Sequence, residues 1–382
     1  MHLYHGHILN HNHKSIFLIT WFSFISYVDN LCKKSLRLSD ILLDKINKDQ
    51  QLSKNITSSF QISYNIGLIN NGGNLMDTLI NDVDHCKSIA QDELIDDGSW
   101  FEELITWADR FEIDEDVFPR DKQELLSLTV LNLHWAELRY LPKAIGYLIN
   151  LQELNCSRNQ LTKLPQTISK LINLHKLDCS ENLLVDLPDW ICSLSNLQEF
   201  DCSKNELTYL PDLLGNLTNL QKLSCSENSL FSLPDSLVNL INLQEFNCCD
   251  NQLTSLLDSI GNLINLRKFD CSINQLTVLP NSFGNLINLQ KFDCSINQLT
   301  VLPNSFGNLI NLQKFFCSWN QLTSLSNFVD NLTNLQELRC HQNQLTCLPD
   351  SIDNLTNLDK ISCDQVVINN LPRHLHYIAR TY

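Results

Sequence analysis

Hydrophobic and polar positions recur in a fixed block of 23 residues from about Leu128 to the end of the 382-residue chain. Each block reads L-x-x-[LF]-x-C-S-x-N-x-L-T-x-L-P-x-x-[IFL]-x-x-L-x-N, as in LQELNCSRNQLTKLPQTISKLIN from Leu151. We number the positions of a block from 1 to 23, so that Leu151 occupies position 1. A period of this length predicts a solenoid, in which each block packs only against its neighbours.

Positions 1 to 6 predict one short strand per block. Side chains of a strand alternate between its two faces, so positions 4 and 6 are expected to point into the core and positions 3, 5 and 7 to point outward. Asparagine occupies position 9 in nine consecutive blocks. We expect its amide to turn inward and satisfy backbone groups of the loop that leaves the strand.

The repeat resembles the leucine-rich repeat family, specifically the 23-residue type that carries L-P-x-x-I on its outer side and occurs in intracellular plant, animal, bacterial and giant-virus proteins. The resemblance covers Leu128 to about Pro372. It implies an α/β fold, a right-handed solenoid with parallel strands on the concave face. The asparagine-rich, alanine-poor C-S-x-N version is most similar to repeat proteins of giant DNA viruses or AT-rich bacteria. One departure is the cysteine at position 6, where the family usually has leucine.

Four regions follow from this pattern. Residues 1–98 lack the period and their fold stays open, residues 99–127 resemble a helical N-terminal cap, residues 128–373 hold about eleven blocks, and residues 374–382 are expected to form a C-terminal tail. The cap is predicted from apolar residues at helical spacing, namely Phe101, Leu104, Ile105 and Ala108.

Ten of the fifteen cysteines form a column at position 6. Neighbouring strands lie ~4.8 Å apart with parallel side chains, a poor match for the roughly 3.5–4.5 Å between the Cβ atoms of a disulfide. A straight column does not offer tetrahedral metal geometry either. Buried free thiols are therefore the favoured interpretation, and they favour a reducing compartment. Cys249, one residue past the column, is expected to face solvent.

The N-terminal region raises two further hypotheses. Ser15–Val28 is uncharged and mostly apolar, too short to span a bilayer comfortably, and no A-x-A-like cleavage site follows it. A buried helix is the favoured interpretation, while an export signal or membrane anchor stays open. Five histidines precede this stretch: His2, His5, His7, His11 and His13. They could bind a transition metal, although a flexible tail is the favoured interpretation.

Charge and motifs narrow the function classes. The formal net charge is -16, and 14 acidic residues fall between Asp77 and Asp116, which argues against a nucleic-acid partner. The chain has no phosphate loop, no dinucleotide fingerprint and no H-E-x-x-H, so we predict no enzymatic activity, no cofactor and no small-molecule substrate.

The outward columns supply the candidate binding residues. At position 3, lysine and glutamate alternate until Lys268, Lys291 and Lys314 run together. At position 5, Asp270 and Asp293 are followed by Phe316 in the next block.

Position 8 is charged or polar in most blocks, but Ile273, Ile296 and Trp319 stand there consecutively. With Phe316 they predict an exposed apolar cluster of the kind that binds proteins. Phe316 and Trp319 would insert into a partner's pocket. Three cationic residues would orient the partner by charge, namely Lys291, Lys314 and Arg339. His341 is a weaker candidate for partner binding. The alternatives are that this column dips under the loop, or that duplication of one block simply copied an isoleucine.

These features predict a non-enzymatic interaction module or scaffold that binds a protein partner on the concave face and lies inside the cell. Two alternatives remain. The repeats could target an activity, such as a metal-dependent one, in residues 1–98. The chain could also be an exported or membrane-anchored receptor-like protein that uses Ser15–Val28.

Overall fold

The structure, a computed structural model, describes residues 98–325 and 327–381. In them the chain forms one sheet of twelve strands that follow one another in sequence order. Neighbouring strands are parallel and pair in steps of one block, as Glu153 does with Lys176. This confirms the predicted α/β solenoid. The predictions for Ser15–Val28, the N-terminal histidines and the region before residue 98 lie outside the described residues.

Each of the first eleven strands covers positions 3 to 5 of its block. Their bounds are β1 Val130–Asn132, β2 Glu153–Asn155, β3 Lys176–Asp178, β4 Glu199–Asp201, β5 Lys222–Ser224, β6 Glu245–Asn247, β7 Lys268–Asp270, β8 Lys291–Asp293, β9 Lys314–Phe316, β10 Glu337–Arg339 and β11 Lys360–Ser362. Strand β12, Ala379–Arg380, pairs with β11. The segment 374–382, expected to be a tail, therefore adds a strand to the sheet.

The return half of each block contains a short 3-10 helix, and most of these helices follow a proline in extended conformation, as Asn281–Asn285 follows Pro280. The others are Lys143–Tyr147, Gln166–Lys170, Asp189–Ser193, Leu214–Asn216, Asp235–Asn239, Ile260–Asn262, Asn304–Asn308, Asn327–Asn331, Asp350–Asn354 and, after the last block, Arg373–Leu375.

Among the described residues, three α-helices flank the array: α1 Ser99–Arg110 and α2 Lys122–Ser127 precede it, and α3 Gln365–Asn369 follows β11. Helix α1 buries Trp107, whose indole nitrogen donates to the carbonyl of Tyr140 at 3.1 Å. The Asp121 carboxylate caps α2 by accepting from two backbone N–H groups. The segment 99–127 thus contains two helices, and the first of them contacts the first block through Trp107. None of the helices among the described residues has the length and apolar character needed to cross a membrane.

The core is a stack of leucine, phenylalanine and cysteine side chains. All ten cysteines of the position 6 column are free and buried, and the thiol of Cys156 donates to the carbonyl of Asp178 in the next block, with sulfur and oxygen 3.4 Å apart. Burial raises the pKa of Cys156 to about 12. Phenylalanines at position 4 stack beside this column, as Phe246 does on Phe269 with ring centroids 5.3 Å apart.

The position 9 asparagines join each block to the one before it. Asn274 donates through Nδ2 to the carbonyls of Cys248, Cys271 and Ser272 at 3.0 to 3.1 Å. Its Oδ1 accepts from the backbone N–H of Leu253 at 3.0 Å. The side chain therefore satisfies buried backbone groups of two blocks, as predicted.

A second asparagine ladder runs along position 23 and was not predicted. Asn288 donates through Nδ2 to the carbonyl of Ile264 in the preceding block at 2.8 Å. The ladder begins at the cap, where Asn150 donates to Leu126 in α2 at 2.8 Å. Because these side chains are exposed, each bond competes with water and contributes less than a buried one.

The buried and the exposed asparagine ladders should contribute differently to the free energy of unfolding. Asn274→Ala leaves several buried backbone groups without partners and should lower the free energy of unfolding by about 3 kcal/mol. Asn288→Ala removes one exposed bond and should lower it by about 1 kcal/mol or less. Urea unfolding followed by circular dichroism would compare the two variants, and equal losses would contradict this account of position 9.

Candidate functional site

The backbone at position 8 has a left-handed conformation in ten successive blocks. From Trp135 to Gln342 its φ lies between 51 and 58°. Backbone bonds between blocks hold this turn at the carboxyl end of the strand, since the N–H of Ile273 donates to the carbonyl of Ser295 at 2.9 Å. The same bond joins Ile296 to Ser318.

Three consecutive blocks place large apolar side chains on this turn. Ile273, Ile296 and Trp319 are 41%, 46% and 51% exposed. We call these three residues the apolar ridge. At the ~4.8 Å spacing of strands they span roughly 10 Å. They are exposed rather than covered by a loop, so the alternative in which the column dips under the loop is wrong.

The apolar ridge is unfavourable for folding. A β-branched side chain at positive φ is an outlier, and the left-handed conformation costs about 1–2 kcal/mol for a residue other than glycine. In other blocks position 8 contributes ion pairs instead, such as Arg158 with Glu181 at 3.0 Å. The hydrogen bond from Arg158 lowers the pKa of Glu181. Exposed isoleucines in this conformation strain the backbone and forgo those pairs, a combination typical of residues kept for recognition.

Phe316 lies beside the apolar ridge but is only 7% exposed, so the expectation that it is an exposed anchor is wrong. The guanidinium carbon of Arg339 lies 4.3 Å from the centroid of its ring, and Nζ of Lys291 lies 5.6 Å from it. Position 5 forms the floor of the open sheet face, where a large aromatic ring becomes covered by long cationic side chains from neighbouring strands. Phe316 therefore holds two cations in place.

His341 is also buried, at 6% exposure, which corrects its assignment as a surface candidate. Its Nδ1 lies 3.0 Å from Oγ of Ser318 and 3.1 Å from Oγ of Ser362. Burial lowers the pKa of this imidazole. The ring bridges the last blocks of the array through these two serines.

The position 7 side chain, expected to point outward, is buried in most blocks. The strand ends at position 5, and a side-chain acceptor there binds the N–H of position 7, as Oδ1 of Asp178 accepts from Ser180 at 3.0 Å. The hydroxyl at position 7 also bonds the position 5 side chain, as Oγ of Ser180 donates to Oδ1 of Asp178 at 2.6 Å, so this side chain lies with those of position 5 but is covered. Cys249 at position 7 is accordingly half-buried rather than exposed.

Lys291 and Lys314 differ from the other lysines of the position 3 column. The other lysines of the column each contact a glutamate: Lys176–Glu199 3.5 Å, Lys222–Glu199 2.6 Å, Lys268–Glu245 2.8 Å and Lys360–Glu337 2.9 Å. Within residues 98–325 and 327–381, Lys291 and Lys314 have no ion-pair partner. Lys314 is in register with Glu337, but that carboxylate is already held by Arg339 at 2.8 Å and by Lys360. We call Lys291 and Lys314 the lysine pair.

An open groove of about 410 Å³ runs along the sheet face from Lys176 to Lys291. Its floor includes position 5 carboxylates such as Asp270, which is in register with Asp293 on the adjacent strand. Burial, together with the neighbouring carboxylate of Asp270, raises the pKa of Asp293. Their Oδ1 atoms accept from the N–H groups of Ser272 and Ser295.

The raised pKa of Asp293 predicts a pH-dependent stability change. The folded state favours the protonated carboxyl, so ionisation destabilises the fold above the folded pKa, and the penalty disappears below the unfolded pKa of about 4. Asp293→Asn should therefore raise the thermal midpoint at pH 7, and the gain should shrink as the pH falls toward 4.

Asparagine suits this position because Oδ1 of Asn247 already accepts from the N–H of Cys249 at 3.1 Å. Asp258→Asn, at an exposed residue, is the control. A gain for Asp293→Asn that is the same at pH 7 and pH 4 would contradict the burial of charge.

Comparisons with known proteins agree with this geometry. A model of the leucine-rich repeat region matches residues 112–255 and 245–374. A search of curated proteins finds no match.

Solved structures similar to this chain include repeat receptors and a bacterial repeat protein. A TDR receptor has a TM-score of 0.61 at 27% identity, over 68% of this chain and 47% of the receptor. The Arabidopsis thaliana receptor kinase ectodomain GASSHO1/SCHENGEN3, in complex with CASPARIAN STRIP INTEGRITY FACTOR 2, has a TM-score of 0.55 at 32% identity, over 58% and 28%. The functional domain of InlJ from Listeria monocytogenes, described as including a cysteine ladder, has a TM-score of 0.51 at 27% identity, over 64% and 55%. The match thus spans about half or less of each of these chains.

Proposed function

Because the chain belongs to the leucine-rich repeat family, whose fold serves in general for protein interaction, we propose that it is a non-enzymatic interaction module or scaffold. It binds a protein partner on the concave face, which corresponds to the open face of the sheet. The observation that supports this most strongly is the apolar ridge, three exposed apolar side chains on a strained turn. The complex of GASSHO1/SCHENGEN3 with CASPARIAN STRIP INTEGRITY FACTOR 2 supports a protein ligand.

The residues have different roles in this proposal. Trp319 is the anchor, because a large aromatic side chain in the middle of an interface contributes about 2 kcal/mol or more. Ile273 and Ile296 extend the apolar contact. The lysine pair and Arg339 orient the partner by charge, and Phe316 positions Arg339 and Lys291 from below.

The cellular location is a further part of the proposal. The free buried thiols support an intracellular location, in the cytoplasm of the source cell or of a host cell. Assignment to the 23-residue intracellular type, and an origin in a giant virus or AT-rich bacterium, stay predictions. The two alternatives, an activity in residues 1–98 and a membrane or export role for Ser15–Val28, concern residues outside the described part of the chain and also stay predictions.

The proposed function predicts that replacing the two isoleucines of the apolar ridge weakens partner binding without lowering thermal stability. In Ile273→Asn with Ile296→Asn, asparagine tolerates the left-handed conformation, so the thermal midpoint should stay the same or rise. Partner affinity should fall at least tenfold, because two apolar contacts of about 1 kcal/mol each are lost. The partner is first captured from a lysate of the source or host cell, and its Kd is then measured for each variant.

The matched control is Ile287→Asn with Ile310→Asn. These isoleucines are 50% and 52% exposed and lie at the turns before β8 and β9, at the opposite ends of the strands. The control should bind like the wild type. Partners retained equally by the ridge variant and the control would exclude the apolar ridge as the binding site.

A further inference from the structure

The lysine pair carries positive charge that no ion pair offsets among the described residues. Lys268, Lys291 and Lys314 are in register on adjacent strands, and like charges directly opposite one another destabilise a sheet. Lys268 is paired with Glu245 at 2.8 Å. In the described part of the chain Lys291 and Lys314 form no ion pair, and Lys291 has only the longer-range attraction of Asp293 on its own strand.

Two residues that depart from the repeat pattern, Phe316 and Arg339, keep positive charge concentrated here. Phe316 stands where the two preceding blocks have aspartate, so no carboxylate lies beside Lys314 at position 5 of its own strand. Arg339 stacks on the same ring that Lys291 faces, which gathers cationic groups around one buried aromatic side chain. The two aspartates nearby accept from backbone N–H groups of the turn and form no ion pair with the lysine pair among the described residues.

We propose that the partner is an acidic amphipathic segment of a protein, with carboxylate side chains that bind Lys291 and Lys314 and apolar side chains that pack on the apolar ridge. This rests on the proposed function and specifies the chemistry of its ligand. A carboxylate between the two ammonium groups relieves their repulsion and gains charge-assisted hydrogen bonds. The partner thus supplies the anion that the sheet lacks here.

The spacing of the two features constrains the segment. The lysine pair occupies position 3, at the start of the strand, and the apolar ridge occupies position 8, on the turn beyond its carboxyl end. Five residues separate them, so the distance along the strand direction is at most about 16 Å. An extended partner segment lying along the strands would place its acidic residues up to about five residues from its apolar ones. The net charge of -16 repels such a segment only at long range, since physiological salt screens exposed charges beyond about 8 Å.

Selection of peptides by the full chain tests the proposal. Random 12-residue peptides displayed on phage are selected on the wild type, and we expect several-fold enrichment of aspartate and glutamate in peptides that also carry aromatic or aliphatic residues. Lys291→Glu with Lys314→Glu should shift the enrichment to lysine and arginine. It should also weaken a selected acidic peptide at least tenfold, because each attraction becomes a repulsion.

A control with the same charge change is Lys222→Glu with Lys268→Glu in the same column, which should keep the acidic selection. Thermal melting verifies the fold of each variant. If the charge reversal does not fold, Lys291→Gln with Lys314→Gln replaces it and should abolish the acidic enrichment without reversing it.

The outcomes separate the two proposals. This inference is overturned if the selected peptides need Ile296 but show no acidic enrichment. It is also overturned if they bind the charge-reversed chain as tightly as the wild type. Both results leave the proposed function standing. Acidic peptides whose binding is unchanged by Ile273→Asn with Ile296→Asn would contradict the proposed function instead. Failure of the wild type to select any peptide counts against both.

Discussion

The buried asparagine at position 9 is the interaction on which the rest of the structure depends. A strand of three residues must end inside the molecule in every block, and the backbone groups that leave it cannot remain unpaired. One amide satisfies groups of two adjacent blocks, as Asn274 does for Cys271 in its own block and Cys248 in the preceding one. The turn that makes this possible passes through a left-handed residue at position 8, and that residue projects outward. The requirement that closes the fold therefore also creates the row of positions available for recognition.

The duplicated blocks show how the framework and the surface separate. The stretches Cys271–Phe292 and Cys294–Phe315 are identical, and both copies form the same strand, turn and 3-10 helix. Stability of a solenoid is close to a sum over blocks, so an added block lengthens the array without disturbing its neighbours. The first residue to differ after them is Phe316 in place of Asp293. This change lets Arg339 and Lys291 gather over a ring and leaves Lys314 without a carboxylate at position 5 of its own strand.

Much of the fold could be predicted from the sequence because its period is regular. The parallel strands, the inward asparagine, the buried thiols and the helical segment before the first block all follow from residue types at fixed spacing. The burial of position 7 could not be predicted by alternation, since it depends on hydrogen bonds such as the one that Ser180 donates to Oδ1 of Asp178. The burial of His341, also at position 7, was missed in the same way.

The candidate site was predicted only in part. The exposure of Ile273, Ile296 and Trp319 agrees with the sequence pattern, but the burial of Phe316 depends on two long side chains from neighbouring strands, which a column of letters does not show. The asparagine at position 23 recurs in the sequence from Asn150 to the last block. The sequence did not show that its amide bonds a carbonyl of the preceding segment, as Asn150 does with Leu126.

The central claim is that the framework sets the fold while residues at position 8 determine binding. Its most direct test is the affinity of the captured partner for a chain whose ridge carries the residues of the third to fifth blocks, Ile273→Glu, Ile296→Lys and Trp319→Glu. The account predicts an unchanged thermal midpoint and a Kd raised by about a hundredfold or more, since a hot-spot aromatic and two flanking contacts are lost. An unchanged Kd in a folded chain would contradict it.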